Sequence, residues 1–285
     1  MAKNILAKTL NNPAQPVSVK AMVKTLAIAL VLLLGMGLAW VFLKIRKPEW
    51  RDRLAQSMYG LLLRIVDVQV RQIGKISTQR PVLIASNHVS YLDVLVLGSC
   101  ANLRFMPKSE VAQWPLIGTL CRLADCLFVE RRARSITQGN DALRERMQKK
   151  QAVVLFPEST TGNGLHVLPF KPAFFSVFEA PPEEARPLLQ PVAIHYTHVW
   201  KVPIDRMQWP DIAWFGDMEL WPHLWNVLKM GGIYVDVHWL PVMDTENKDR
   251  KQIAQQCQAA IVTQIENARQ NVVAIAPKIG APPKH

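Results

Sequence analysis

Apolar and polar positions fall in blocks along most of this chain. Beyond residue 65, short apolar runs recur at Val66–Ile73, Pro81–Ala85, Leu103–Met106, Cys126–Val129, Ala152–Phe156, Gln190–Tyr196 and Ile233–Trp239. Several lack the polar alternation of a half-exposed strand, which suits a sheet covered on both faces. Between them the pattern predicts helices over Tyr91–Ser99, Trp114–Leu123, Ser135–Lys149, Pro172–Glu179 and Leu220–Met230. A last helix over Lys248–Asn271 sets Ile253, Cys257, Ile261 and Ile265 four apart, on one stripe. This succession predicts an α/β fold, a mainly parallel or mixed sheet covered by helices. Ala180–Pro187 reads as a surface loop.

A different pattern precedes residue 66. Thr25–Leu43 is a run of 19 residues without a charge. At about 1.5 Å per residue it spans roughly 29 Å, one hydrocarbon core. Lys20 and Lys24 flank one end; Lys44, Arg46, Lys47, Arg51 and Arg53 flank the other, with Trp40 and Trp50 near that interface. The run is long for a secretory h-region and no A-x-A site follows it, so it reads as a retained transmembrane helix. The chain then divides into a tail (1–19), an anchor (20–46), an amphipathic connector (47–65), a folded domain (66–272) and a second tail (273–285).

Charge sharpens this picture. The chain carries 34 Lys and Arg against 22 Asp and Glu, a net +12. Residues 1–53 hold nine of the basic and two of the acidic residues. That is a basic collar around the anchor, not the basic face of a nucleic-acid binder. The collar's balance favours a cytosolic position for the domain that follows. Cys100, Cys121, Cys126 and Cys257 show no metal or redox spacing and read as reduced thiols.

Two stretches carry candidate chemistry. In SNHVSYLD, Ser86–Asp93, a histidine precedes an aspartate by five residues, straight after an apolar run. On one continuous helix the pair would face about 140° apart. They meet if His88 lies in a turn and Asp93 in the first turns of the helix, and Asn87, Ser86 and Ser90 are turn and cap formers. A carboxylate bound to one imidazole nitrogen fixes the tautomer and leaves the other as a base. By itself H-x-x-x-x-D more often marks a capping turn with a surface histidine. The chain has no G-x-S-x-G nucleophile, which argues against a serine hydrolase and for attack by a substrate's own hydroxyl. The second stretch, FPESTTGNG from Phe156, ends another apolar run in a polar, glycine-bearing loop. Its N–H groups, and the helix start at Lys171–Pro172, suit an anion. Arg131 and Arg132 follow Cys126–Val129 after Glu130, where a guanidinium can clamp phosphate.

Taken in order, NHVSYLD, KSE…WPLIG, FVERR and FPEST resemble the blocks of the glycerolipid acyltransferases typified by 1-acylglycerol-3-phosphate acyltransferase. The resemblance covers roughly Val66 to Trp239. It implies catalysis by His88 and Asp93, and substrate binding by Asn87, Lys108, Arg131, Glu158, Ser159, Thr160 and Lys171. It implies no metal and no cofactor, with acyl-CoA or acyl carrier protein as co-substrate and membrane lipids as partners. The expected activity is acyl transfer to the free hydroxyl of a lysolipid, foremost 1-acylglycerol-3-phosphate. Two alternatives stand beside it, a lyso-ornithine lipid acceptor and an inactive lipid-binding protein of the same fold. The expected place is the bacterial inner membrane. Ser159 departs from the family's glycine, which permits positive φ or close approach of a ligand. Thr161 departs from a residue that is often basic, a charge Lys108 or Lys171 would supply. The TTGNG continuation with LPFK resembles the lyso-ornithine lipid subset.

Two further features have less to say. His195 and His198, three apart on one predicted strand, should face opposite sides and so not share a metal. The tryptophans between Trp200 and Trp239, with Leu220, Leu224 and Leu228, fit either an interfacial platform or ordinary core.

Overall fold

The computed structural model describes residues 18–114, 117–129, 143–179 and 186–275. The apolar N-terminal run forms α1, Val19–Lys44, with the Ser18 hydroxyl accepting the Ala21 N–H at its start. The predicted connector is α2, Pro48–Val66, opened by a proline in its first turn and closed by Asp67 in the left-handed region. α2 returns antiparallel along α1. Phe42 meets Trp50 with ring centres 5.9 Å apart, and Lys24 Nζ donates to the Val66 carbonyl at 3.0 Å.

Among the described residues seven strands form one sheet in the order β1-β7-β5-β2-β4-β3, with β6 beside β5. They are β1 Val68–Ile73, β2 Val82–Ser86, β3 Arg104–Phe105, β4 Ala152–Leu155, β5 Leu188–Val199, β6 Val202–Pro203 and β7 Ile233–Trp239. β2 lies parallel to β4 and β5, and β3 and β1 lie parallel to β4 and β7. β7 and β6 run antiparallel to β5, so the sheet is mixed.

Alternate residues of β2 feed two cores. Val82 and Ile84 join Val96, Ile194 and Val235 on one face; Leu83 and Ala85 join Phe175, Leu189 and Ile261 on the other. The first face is covered by α2, by α3 (Leu92–Cys100) and by α6 (Leu220–Met230); the short helices α4 (Ile117–Leu123) and α5 (Trp209–Ile212) lie in the connections. The second face is covered by the 3₁₀ segment Pro172–Glu179 and by α7, Arg250–Ile275, whose predicted stripe Ile253, Cys257, Ile261 and Ile265 is buried.

Several expectations shift. Helix α2 takes Val66, so β1 starts at Val68. Cys126–Val129 makes only an isolated bridge, Val129 to Lys108, although Leu127 and Val129 bond the chain around β3. The predicted helix Pro172–Glu179 is 3₁₀. Of Ser135–Lys149, residues 143–148 are helical and 135–142 lie outside the described residues. His195 and His198 do not face opposite sides. A bulge between Tyr196 and His198 lets them pair with Asp236 and Tyr234, two residues apart on β7, so both point to one face. Among the described residues no group of three or more His, Cys, Asp or Glu side chains comes together. The tryptophans divide: Trp209 and Trp239 are buried, while Trp200 and Trp221 are exposed.

Candidate active site

Strands β2 and β4 are parallel neighbours, so the turns after them emerge side by side at the carboxyl edge of the sheet. The first turn carries His88. The second, starting at Phe156, carries Glu158 and the glycines.

Asp93 organises the first turn. Its side chain is fully buried in the opening turn of α3. Oδ2 accepts the backbone N–H groups of Val89 (2.6 Å) and Ser90 (2.9 Å) and faces His88 Nδ1 at 2.8 Å. The bond to Ser90 N–H is the returning half of an S-x-x-D cap. Oδ1 accepts the Tyr196 hydroxyl from β5 at 2.7 Å. Four donors thus hold one carboxylate, and because a carboxylate only accepts, His88 Nδ1 carries the shared proton. His88 Nε2 has no hydrogen-bond partner among the described residues and is not sealed from solvent. The ring stacks on Phe156, with centres 3.9 Å apart and planes 14° from parallel.

The second turn grips the backbone of His88 on both sides. Glu158 Oε1 accepts the His88 N–H at 2.6 Å, and Gly162 N–H donates to the His88 carbonyl at 2.8 Å. Glu158 Oε2 accepts the Leu168 N–H at 2.8 Å. Burial pushes the Glu158 carboxyl up to about 8, against the two backbone N–H groups and with a smaller upward push from Asp93.

A cleft of about 260 Å³ opens beside the dyad, with Glu158, His195, Trp209, Glu266 and Arg269 in its walls. His195, on β5, is only 5% exposed, and its Nδ1 has no partner among the described residues. Burial, then the Arg269 charge, lower its pKa to about 4, so the ring is neutral near pH 7.

The other predicted binding residues fare differently. Asn87 lines the cleft, but its side-chain amide is committed, donating to the Ile194 carbonyl (2.9 Å) and accepting the Ile194 N–H (2.8 Å). It ties the end of β2 to β5 rather than offering a free donor. Lys108 is exposed, pairs with Glu110 at 2.7 Å and is not part of the cleft wall. Lys171 and Thr160 are exposed and also outside that wall. Ser159 is partly buried at φ 67°, the conformation that explains glycine at this place. Arg131 lies outside the described residues. No motif in the sequence marks Tyr196, Trp209, Glu266 or Arg269 as part of the site, and Gly162 is legible only as one glycine of the FPESTTGNG loop. The periodicity of α7 marked only its buried stripe and passed over its polar residues.

A family model described as Acyltransferase matches residues 67–195, a span containing the dyad and Glu158. The lyso-ornithine lipid O-acyltransferase of Brucella abortus is 36% identical over 235 residues, covering 80% of this chain and 87% of the relative. The chain belongs to the acyltransferase family. The 1-acyl-sn-glycerol-3-phosphate acyltransferase of Neisseria meningitidis is 30% identical over 207 residues, covering 71% of this chain and 77% of that one. The crystal structure of the 1-acyl-sn-glycerophosphate acyltransferase PlsC from Thermotoga maritima superposes with a TM-score of 0.61 at 14% identity, over 87% of this chain and 97% of that one. This acyltransferase therefore shares the α/β fold of that enzyme.

Proposed function

We propose that the protein transfers a fatty acyl group from a thioester, acyl-CoA or acyl carrier protein, to the free hydroxyl of a lysolipid, and that the acceptor is lyso-ornithine lipid. The observation that carries the reaction is the 2.8 Å contact between His88 Nδ1 and Asp93, with Nε2 open at the cleft. His88 Nε2 takes the acceptor's hydroxyl proton as its oxygen attacks the thioester carbonyl. Asp93 steadies the imidazolium that forms. The C–S bond breaks, the thiolate takes the proton, and ester and free thiol leave. The step needs no cofactor beyond the thioester. General-base help of this kind supplies about 10²–10⁴ in rate.

For the acceptor, this reverses the order that the motif blocks suggested. Support comes from relatives named as lyso-ornithine lipid O-acyltransferases, such as the 38% identical protein of Rhizobium meliloti, which this chain covers over 74% of its length. It comes also from charge, because Arg269 is the sole Arg or Lys among the described residues lining the cleft. The test uses purified full-length protein with acyl-CoA and acyl carrier protein thioesters. His88→Ala is expected to lower thiol release with lyso-ornithine lipid by at least about 10²-fold. Wild-type rates in that variant would overturn the mechanism. Fatty acid release without an acceptor would mark a hydrolase instead.

A further inference from the structure

We infer that Glu266 and Arg269 of α7 form a headgroup subsite that reads an ammonium and a carboxylate on the same acceptor. The inference rests on the lysolipid reading above and goes on to name how the acceptor is recognised.

The two residues lie three apart on one helix, hence on one face, and both line the cleft that His88 opens into. Arg269 is held in place but not neutralised. Its guanidinium donates to the carbonyls of Gly164 (2.7 Å) and Leu165 (2.9 Å) and lies 6.0 Å from the centre of the Trp209 ring. Carbonyls carry no net charge, and Arg269 makes no ion pair among the described residues. Two contacts leave three of its five N–H donors. Glu266 makes no hydrogen bond or ion pair with any described residue. The two charges are close enough to influence one another without being bridged. One wall of the cleft thus presents a cation and, at its exposed rim, an anion, near one another but joined by no salt bridge.

That pattern fits a zwitterion. Ornithine acylated on one of its amines keeps a carboxylate and an ammonium, which match Arg269 and Glu266 in turn. A phosphate monoester, with a charge near −2 at neutral pH, would meet one cation and be repelled by Glu266. His195, also in the wall, is neutral near pH 7 and repels neither charge of the headgroup.

The experiment measures acyl transfer by the full-length protein to four acceptors: lyso-ornithine lipid, its derivative acetylated on the free amine, its carboxylate methyl ester, and 1-acylglycerol-3-phosphate. Glu266→Gln is expected to raise KM for lyso-ornithine lipid about tenfold, in KM rather than kcat. The gap between variant and wild type should close with the acetylated acceptor, which has no ammonium to read. Since Arg269 also holds the chain at Gly164 and Leu165, its arm uses Arg269→Lys and the methyl ester. The ester should raise wild-type KM by a similar factor. Equal KM for wild type and Glu266→Gln on lyso-ornithine lipid would overturn the subsite while leaving the acceptor standing. Transfer to 1-acylglycerol-3-phosphate, with none to lyso-ornithine lipid, would overturn the acceptor and the subsite together.

Discussion

Ser159 sits at φ 67° in the turn after β4, in a conformation that costs an L-residue about 1–2 kcal/mol. A β-branched side chain is worst placed there, because two heavy atoms on Cβ crowd the carbonyl. Glycine removes the crowding but gives back about 0.5–1 kcal/mol in unfolded-state entropy. Ser159→Gly is therefore expected to unfold at or above the wild-type temperature, and Ser159→Val to lose about 1–3 kcal/mol. Thermal unfolding of the two variants checks this, and a Val variant as stable as the Gly variant would refute it. The motif made this residue legible, since it named the position where glycine is usual. His88 and Asp93 were legible in the same way, from strand, turn and cap residues in a row. Tyr196 was not. Its hydroxyl reaches Asp93 across 103 residues of chain, and a tyrosine in an apolar strand reads as core until the partner's position is known.

Among the elements, the long buried strands were easiest to read, because the middle of β5, Pro191–Ile194, is apolar throughout and β7 places Ile233, Val235, Val237 and Trp239 at alternate positions. The β5 bulge was invisible. It inserts one residue opposite β7, and a pattern of period two cannot register an extra residue that the partner strand imposes. The pairing of the turns after β2 and β4 was partly visible as two polar stretches ending apolar runs. That one clamps the backbone of the other through Glu158 is a tertiary contact across 70 residues of chain, which no local pattern records. This clamp has a pH signature. The folded carboxyl titrates near 8, above the ordinary value of 4.5. Between those values the unfolded chain has released a proton that the folded chain still holds. The contribution is therefore complete at low pH and is lost as pH rises through the folded value. The melting temperature should fall from about pH 5 to about pH 8, and fall less in Glu158→Gln. At the low end Gln should itself be less stable. Its amide NH₂ must face the N–H of either His88 or Leu168, leaving a buried donor unmet at about 1–3 kcal/mol. Equal pH slopes for the two proteins would remove Glu158 as the titrating group.

At the scale of the molecule, the apolar helix and the catalytic fold are packed together. α1 runs along α2, and its Lys20 lies 5.5 Å over the Trp200 ring beyond the end of β5. α1 is long and apolar enough to cross a membrane, yet most of its surface is uncovered by protein. Leu26, Leu30, Leu33 and Leu34 are each more than half exposed, an apolar stripe at helical spacing that no described residue covers. Two forces can hold such a chain to a bilayer. Apolar burial contributes about 25 cal/mol per Å² and is insensitive to salt. The basic collar contributes about 1 kcal/mol per residue near an anionic surface and fades with screening. They separate experimentally. Full-length protein should float with uncharged phosphatidylcholine vesicles even in high salt, because the leucine stripe alone suffices. With those four leucines replaced by serine, flotation should require anionic lipid and should be lost as salt is raised. The same variant should lose transfer to vesicle-borne acceptor while keeping most of its rate on acceptor dispersed in detergent, since the dyad lies in another part of the fold. Undiminished flotation of the serine variant on uncharged vesicles would place the membrane contact elsewhere, at the other exposed apolar residues of α1, such as Val19 and Val23, or at Trp200 and Trp221.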